Sequence, residues 1–104
     1  MSDYPTLENL FAAYFHQDWA AEHASADAVI DYYRSAESPD QVEAAHEELD
    51  RLLAQDYDEH ALAQLARRLG SEYDPTREGR SWRDWLESLR QRLTPAPRHG
   101  PKPR

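Results

Sequence analysis

The stretch Tyr4-Pro5-Thr6-Leu7-Glu8-Asn9-Leu10-Phe11-Ala12-Ala13-Tyr14-Phe15-His16-Gln17-Asp18-Trp19 packs five aromatic residues into 16 positions of a chain that is 39% hydrophobic and 31% charged. So large an apolar load must be buried, and its order says how. Leu7, Leu10, Phe11 and Tyr14 recur at steps of three, one and three, the period of one face of an α-helix. Thr6 reads as the N-cap after Pro5, and Glu8 falls in the first turn, where the helix dipole favours an acid. The spacing predicts a helix over 7–15, a polar break at His16-Gln17-Asp18, and Trp19 as an anchor beyond it. Leu7, Leu10, Phe11, Tyr14 and Trp19 are the expected core of this segment.

The remaining punctuation is helical throughout. Ser25 caps a second helix over 26–35, with Val29, Ile30, Tyr32 and Tyr33 on the apolar side and Asp27, Asp31 and Arg34 on the wet side. Ser38, Pro39 and Gln41 form the start signal of a third helix: cap, N1 proline and capping-box partner. Its buried stripe is Val42, Ala45, Leu49, Leu52 and Leu53. A fourth helix runs from the cap Asp58 to Leu69, with Gly70 as terminator and Arg67 and Arg68 in the last turn. Residues 70–80 form a long loop punctuated by Pro75 and Gly79. Ser81 caps a fifth helix, with Asp84 at N3 and Trp82, Trp85, Leu86, Leu89 and Leu93 facing inward. No segment alternates with the period of a strand. The fold class expected is all-α: a compact single-domain bundle of about five helices over 1–93. A basic, proline-rich tail over 94–104 is expected to be extended and disordered.

A chain of 104 residues makes one domain with a modest core. Cysteine is absent, which removes disulfides and thiolate metal sites. No basic-then-apolar leader and no long apolar run occurs, so the chain is expected to be soluble and cytoplasmic, with no membrane partner.

Charge is unevenly distributed. Residues 1–50 hold 12 acids and one base, Arg34, whereas residues 77–104 hold three acids and eight bases. An acidic front half repels nucleic acid and anionic lipid and accelerates encounter with a basic partner. On the third helix Asp40, Glu43, Glu47 and Asp50 stack on one face, spaced three, four and three, with Glu47–Arg51 as the one expected offset. Like charges at such spacings destabilise a helix slightly, and a local inconsistency of this kind tends to mark a site.

Catalytic constellations are lacking. Ser25, Ser38 and Ser81 are accounted for as N-caps, and three glycines cannot build a phosphate-binding loop. Glu43 and His46 have the i,i+3 spacing of a di-iron ligand pair, but the matching second pair is missing because Glu59 and His60 are adjacent. The acids lie on wet faces, not paired in distinct environments within a pocket. Neither an enzyme nor a metal or other cofactor is expected, nor nucleic acid as a partner.

The run Tyr4 to Phe11, followed by Ala13-Tyr14-Phe15-His16-Gln17-Asp18-Trp19, resembles the start of a bacterial family of contact-dependent growth inhibition (CDI) immunity proteins. Leu69-Gly70, Tyr73, Asp74-Pro75, Gly79 and Trp85-Leu86 support the resemblance, which spans 4–93. It implies a cytoplasmic antidote that binds, one-to-one, the toxin domain of a cognate effector. Many such domains are nucleases with basic clefts, which an acidic inhibitor can fill with carboxylates where phosphates would sit. The signature residues Tyr14, Phe15, His16, Gln17, Asp18 and Trp19, with Trp85, are expected to hold the fold. Asp27, Asp31, Asp40, Glu43, Glu47 and Asp50 are the expected toxin-binding residues. The alternative is a small acidic adaptor or structural subunit of a complex unrelated to toxins.

Overall fold

A computed structural model describes residues 3–94. The tail predicted to be disordered lies, apart from Thr94, outside the described residues. The chain folds as α1 (Pro5–Tyr14), α2 (Trp19–Glu22), α3 (Ala26–Ala36), α4 (Pro39–Leu53), α5 (Glu59–Arg68), a 3-10 turn (Pro75–Glu78) and α6 (Trp82–Arg92). No strand occurs among the described residues. The all-α bundle read from the sequence is therefore correct, with α2 as an added single turn after the polar break. Helix α4 lies against both α1 and α6, and α6 also packs on α3 and α5.

The core joins the two ends of the domain. Phe11 and Phe15 of the opening run meet Trp85 of α6 at ring distances of 6.0 and 5.4 Å. Tyr73 enters the same cluster from the loop before α6, 4.9 Å from Trp85 and 5.6 Å from Phe15. Phe15, Leu7, Leu10 and Phe11 are fully buried, whereas Tyr14 and Trp19 pack against the core half-buried. Phe15 shares the buried face because it stands four residues after Phe11, whose carbonyl its N–H still bonds at 3.0 Å.

Two helix starts are satisfied from a distance. Helix α1 begins at Pro5, ahead of the predicted start, because the fixed proline φ suits N1. Thr6 is therefore inside the helix and not its cap, and the Tyr4 side chain at the N-cap does not cap the helix. The missing acceptor is Glu48 of α4. Its Oε1 accepts the N–H groups of Thr6 and Leu7, both at 2.9 Å, and its Oε2 accepts Thr6 N–H at 3.1 Å. Similarly, the carboxylate of Glu59 accepts the N–H groups of Trp82 and Arg83 at 2.6 and 3.0 Å, alongside the local cap from Ser81 to Asp84 N–H. Each carboxylate meets the positive end of a helix dipole, where a negative charge is stabilising.

Helix α5 ends in a Schellman motif. The Ser71 N–H donates to Ala66 O and the Gly70 N–H to Arg67 O, both at 3.0 Å. Gly70 takes φ +107°, and a Cβ there would lie 3.0 Å from Ala12 Cβ and 3.1 Å from Ala12 Cα. Gly79 also has positive φ (+79°), with open space around it. Gly70→Ala is expected to cost about 1–3 kcal/mol from the backbone alone, plus the clash with α1. Gly79→Ala should cost only the backbone part. Urea denaturation of both variants checks this. Equal losses would mean that the approach of α1 contributes nothing.

Candidate functional site

The predicted acidic residues all lie on the surface, but α6 divides them. Arg92, in the last turn of α6, donates from Nη1 to Asp31 at 3.2 Å and from Nη2 to Asp27 at 3.1 Å. Arg90 binds Asp50, which also faces His46 Nδ1 at 3.6 Å. The hydrogen bond from Arg90 is the main reason the Asp50 carboxyl is held below the usual carboxylate range. The opposite charges that the sequence separates are thus partly brought together by the fold. The basic end of α6 lies over acids of both α3 and α4.

Asp40, Glu43 and Glu47 remain exposed and without an ion-pair or hydrogen-bond partner among the described residues. The expected Glu47–Arg51 pair does not form. Arg51 instead donates to Asp3 O at 3.3 Å and lies 5.3 Å from the Tyr4 ring centroid. The cation is drawn to the N-terminal end of α1, where a carbonyl and an aromatic face are both in reach. The α4 row therefore carries an uncompensated field.

The signature residues separate into core and turn. Phe15 and Trp85 are fully buried. Trp19 packs edge-on to Phe15 and Tyr73 at 6.0 and 5.3 Å. The break between α1 and α2 is organised by His16. Its Nδ1 accepts the Asp18 N–H at 3.0 Å, and its Nε2 lies 3.3 Å from Glu22 Oε1. With Nδ1 accepting, Nε2 carries the proton toward the carboxylate. Gln17 and Asp18 are exposed. Tyr14 donates to Glu37 Oε2 at 2.6 Å, and burial together with that carboxylate pushes its phenol up to about 12.

Three features were not legible in the sequence. Glu48 and Glu59 act on helices far along the chain, and nothing in local spacing reports that. Tyr32, read as apolar-side, is the most exposed large hydrophobic residue of the described chain, at 52%. It sits at the edge of the α3 stripe, where a rotation of one residue turns a ring from core to solvent.

Among the described residues, no three His, Asp or Glu side chains converge as metal ligands. No helix among them is long and apolar enough to cross a membrane.

Comparison with known proteins agrees with this architecture. Curated proteins show no significant match. Among solved structures, a chain of the "Crystal structure of CdiA-CT/CdiI complex from Y. kristensenii 33638" is similar over 89% of this chain and 100% of its own length. The two share 26% sequence identity and a TM-score of 0.83. The profile of the CdiI immunity protein family matches residues 3–93, the whole helical domain. The aromatic opening run, the His16 turn and the Trp85 helix all fall inside that match, and the chain belongs to the CdiI immunity protein family.

Proposed function

We propose that this protein protects the cell that makes it by binding, one-to-one in the cytoplasm, the C-terminal toxin domain of a CdiA-type effector, and that it has no catalysis of its own. The observation that carries this reading is the family match over 3–93, joined to the similarity with a chain of a CdiA-CT/CdiI complex. The toxin domain it fits best is basic, as a nuclease that grips phosphate would be. The exposed Asp40, Glu43 and Glu47 of α4 lead the encounter, because their field is not cancelled within the chain. Asp27, Asp31 and Asp50 contribute after exchange with Arg92 and Arg90, whose hold on them is weak at an exposed surface.

Co-expression with the toxin domain encoded by the neighbouring large gene tests the function. Growth should be rescued by this chain and not by an unrelated acidic helical protein. Failure of rescue by a well-expressed chain would refute the reading. Within it, reversing Asp40, Glu43 and Glu47 to lysine together is expected to slow association about tenfold at low ionic strength. The difference should shrink as salt screens the charges. Unchanged association at low salt would remove α4 from the interface and leave the function standing.

A further inference from the structure

Tyr32 is exposed but not loose. Its ring lies 5.3 Å from that of His23 and 5.9 Å from that of Tyr14. Tyr14 stands edge-on to the fully buried Tyr33 at 5.0 Å, so this surface platform is rooted in the core. Together Tyr14, His23 and Tyr32 border a cleft of about 360 Å³ between α1, α2 and α3, which Asn9, Glu22 and Glu37 also line. Each carboxylate is half engaged: Glu37 Oε2 accepts from Tyr14, and Glu22 Oε1 faces His16. The second oxygen of each has no partner among the described residues. Among the described residues, no Lys or Arg side chain lines this cleft. The larger groove between α4 and α6 differs, because Arg80 and Arg90 already stand among its acids.

Aromatic faces beside carboxylates, with no cation of their own, make a receptor for a planar cation. A guanidinium stacks on rings and bonds carboxylates through its fork of N–H donors, which a lysine ammonium cannot do. We propose that this cleft receives an arginine side chain of the toxin domain and that Tyr32 is an anchor of the interface, an inference that rests on the toxin-binding function proposed above. The burial of one tyrosine ring over a captured arginine matches the chemistry that dominates interface energetics. It also gives the exposed ring a use that solvent does not. This surface is distinct from the α4 row: α4 governs how fast the partners meet, and the cleft governs how long they stay.

The test compares Tyr32→Ala, Tyr32→Phe and Glu37→Gln in the full chain, with affinity and dissociation rate measured against the toxin domain. Because Tyr32 is largely exposed, helix content by circular dichroism should match the parent for all three. Tyr32→Ala is expected to weaken binding at least about tenfold, mostly through faster dissociation. Tyr32→Phe keeps the aromatic face and should stay within about threefold. Glu37→Gln should fall between them. A Tyr32→Ala variant that binds like the parent overturns the inference and leaves the proposed function intact. A parent chain that binds no toxin domain overturns both. A second measurement reads the cleft without the toxin: acetyl-arginine amide, titrated into the full chain, should shift the ring resonances of Tyr32 and His23, and acetyl-norleucine amide should not. Absence of that difference also overturns the inference.

Discussion

Replacing Glu48 by alanine is expected to lower the stability of the domain by about 3 kcal/mol, among the larger losses a single substitution can cause here. Three hydrogen bonds end on this carboxylate, from only two N–H groups, Thr6 and Leu7. Bonds to a charged group contribute about 1.5–3 kcal/mol each, and the shared Thr6 donor counts once. The bond to Leu7 is buried, so its N–H would be left without water or acceptor in the truncated protein. The α1 terminus has no replacement, because Tyr4 offers no side-chain cap. Offsetting this, burial of a carboxylate is itself costly, which keeps the net below the sum of the bonds. For a domain of this size the loss corresponds to a fall in melting temperature of about 12–24 °C. Glu48→Gln retains one acceptor and should lose about half as much. Thermal denaturation of the two variants decides it. If Glu48→Ala melts within a few degrees of the parent, the cross-chain cap is geometry without energy.

Alkali should unfold this protein abruptly. Burial pushes the phenols of Tyr33 and Tyr73 well up, with the bond Tyr73 donates to Glu78 Oε1 at 2.7 Å adding to its own rise, and Tyr14 is raised to about 12. In the unfolded chain each ionises near its ordinary value of about 10. Between those values the folded protein binds more protons than the unfolded one, so stability is intact below pH 10 and falls as pH rises above it. Each such group contributes a slope of up to about 1.4 kcal/mol per pH unit. Three together give up to about 4 kcal/mol per unit, with the half-buried Tyr14 contributing least. Against a total of about 5–15 kcal/mol for small domains, two units above pH 10 remove up to about 8 kcal/mol, enough to unfold a protein in the lower part of that range. Circular dichroism and phenolate absorbance, followed together, should change in one steep transition. Smooth phenolate formation with helix content retained would show that the rings ionise in place. The Tyr33 hydroxyl sharpens the case, since it is buried without a hydrogen-bond partner among the described residues to stabilise its anion.

The helices were legible in the sequence wherever a local signal sets them. Ser25, Ser38, Asp58 and Ser81 each accept the backbone N–H three residues on, as their residue types and positions imply. Gly70 ends α5 for the reason a C′ glycine does. The α1 start was misread because its acceptor is Glu48, 42 positions from Thr6, and a cap from another helix leaves no trace in local spacing. The acidic row of α4 was legible as a row. Its division into paired and unpaired members was not, because that depends on where Arg90 lands in three dimensions. Tyr32 shows the limit of periodicity: adjacent tyrosines on α3 look equivalent in the sequence, yet Tyr33 is fully buried and Tyr32 mostly exposed. The signature segment reads more as scaffold than as surface, although Tyr14 serves both, with one side on Tyr33 and the other on the cleft.

The meeting of Phe11 and Phe15 with Trp85 has a consequence for how the protein is made. The Trp85 ring belongs to α6, which is made after every other described helix. Until it emerges, Phe11 and Phe15 lack the Trp85 ring, although α4 and Tyr73 can already cover part of the run, and the Glu59 carboxylate has no α6 terminus to cap. Helical bundles fold fast when their contacts are local, and this one defers its central contact to nearly the full span of the domain. Nascent chains of this protein therefore carry an incompletely covered aromatic segment until α6 is made, and the high acidity of the same front half keeps them apart while they wait.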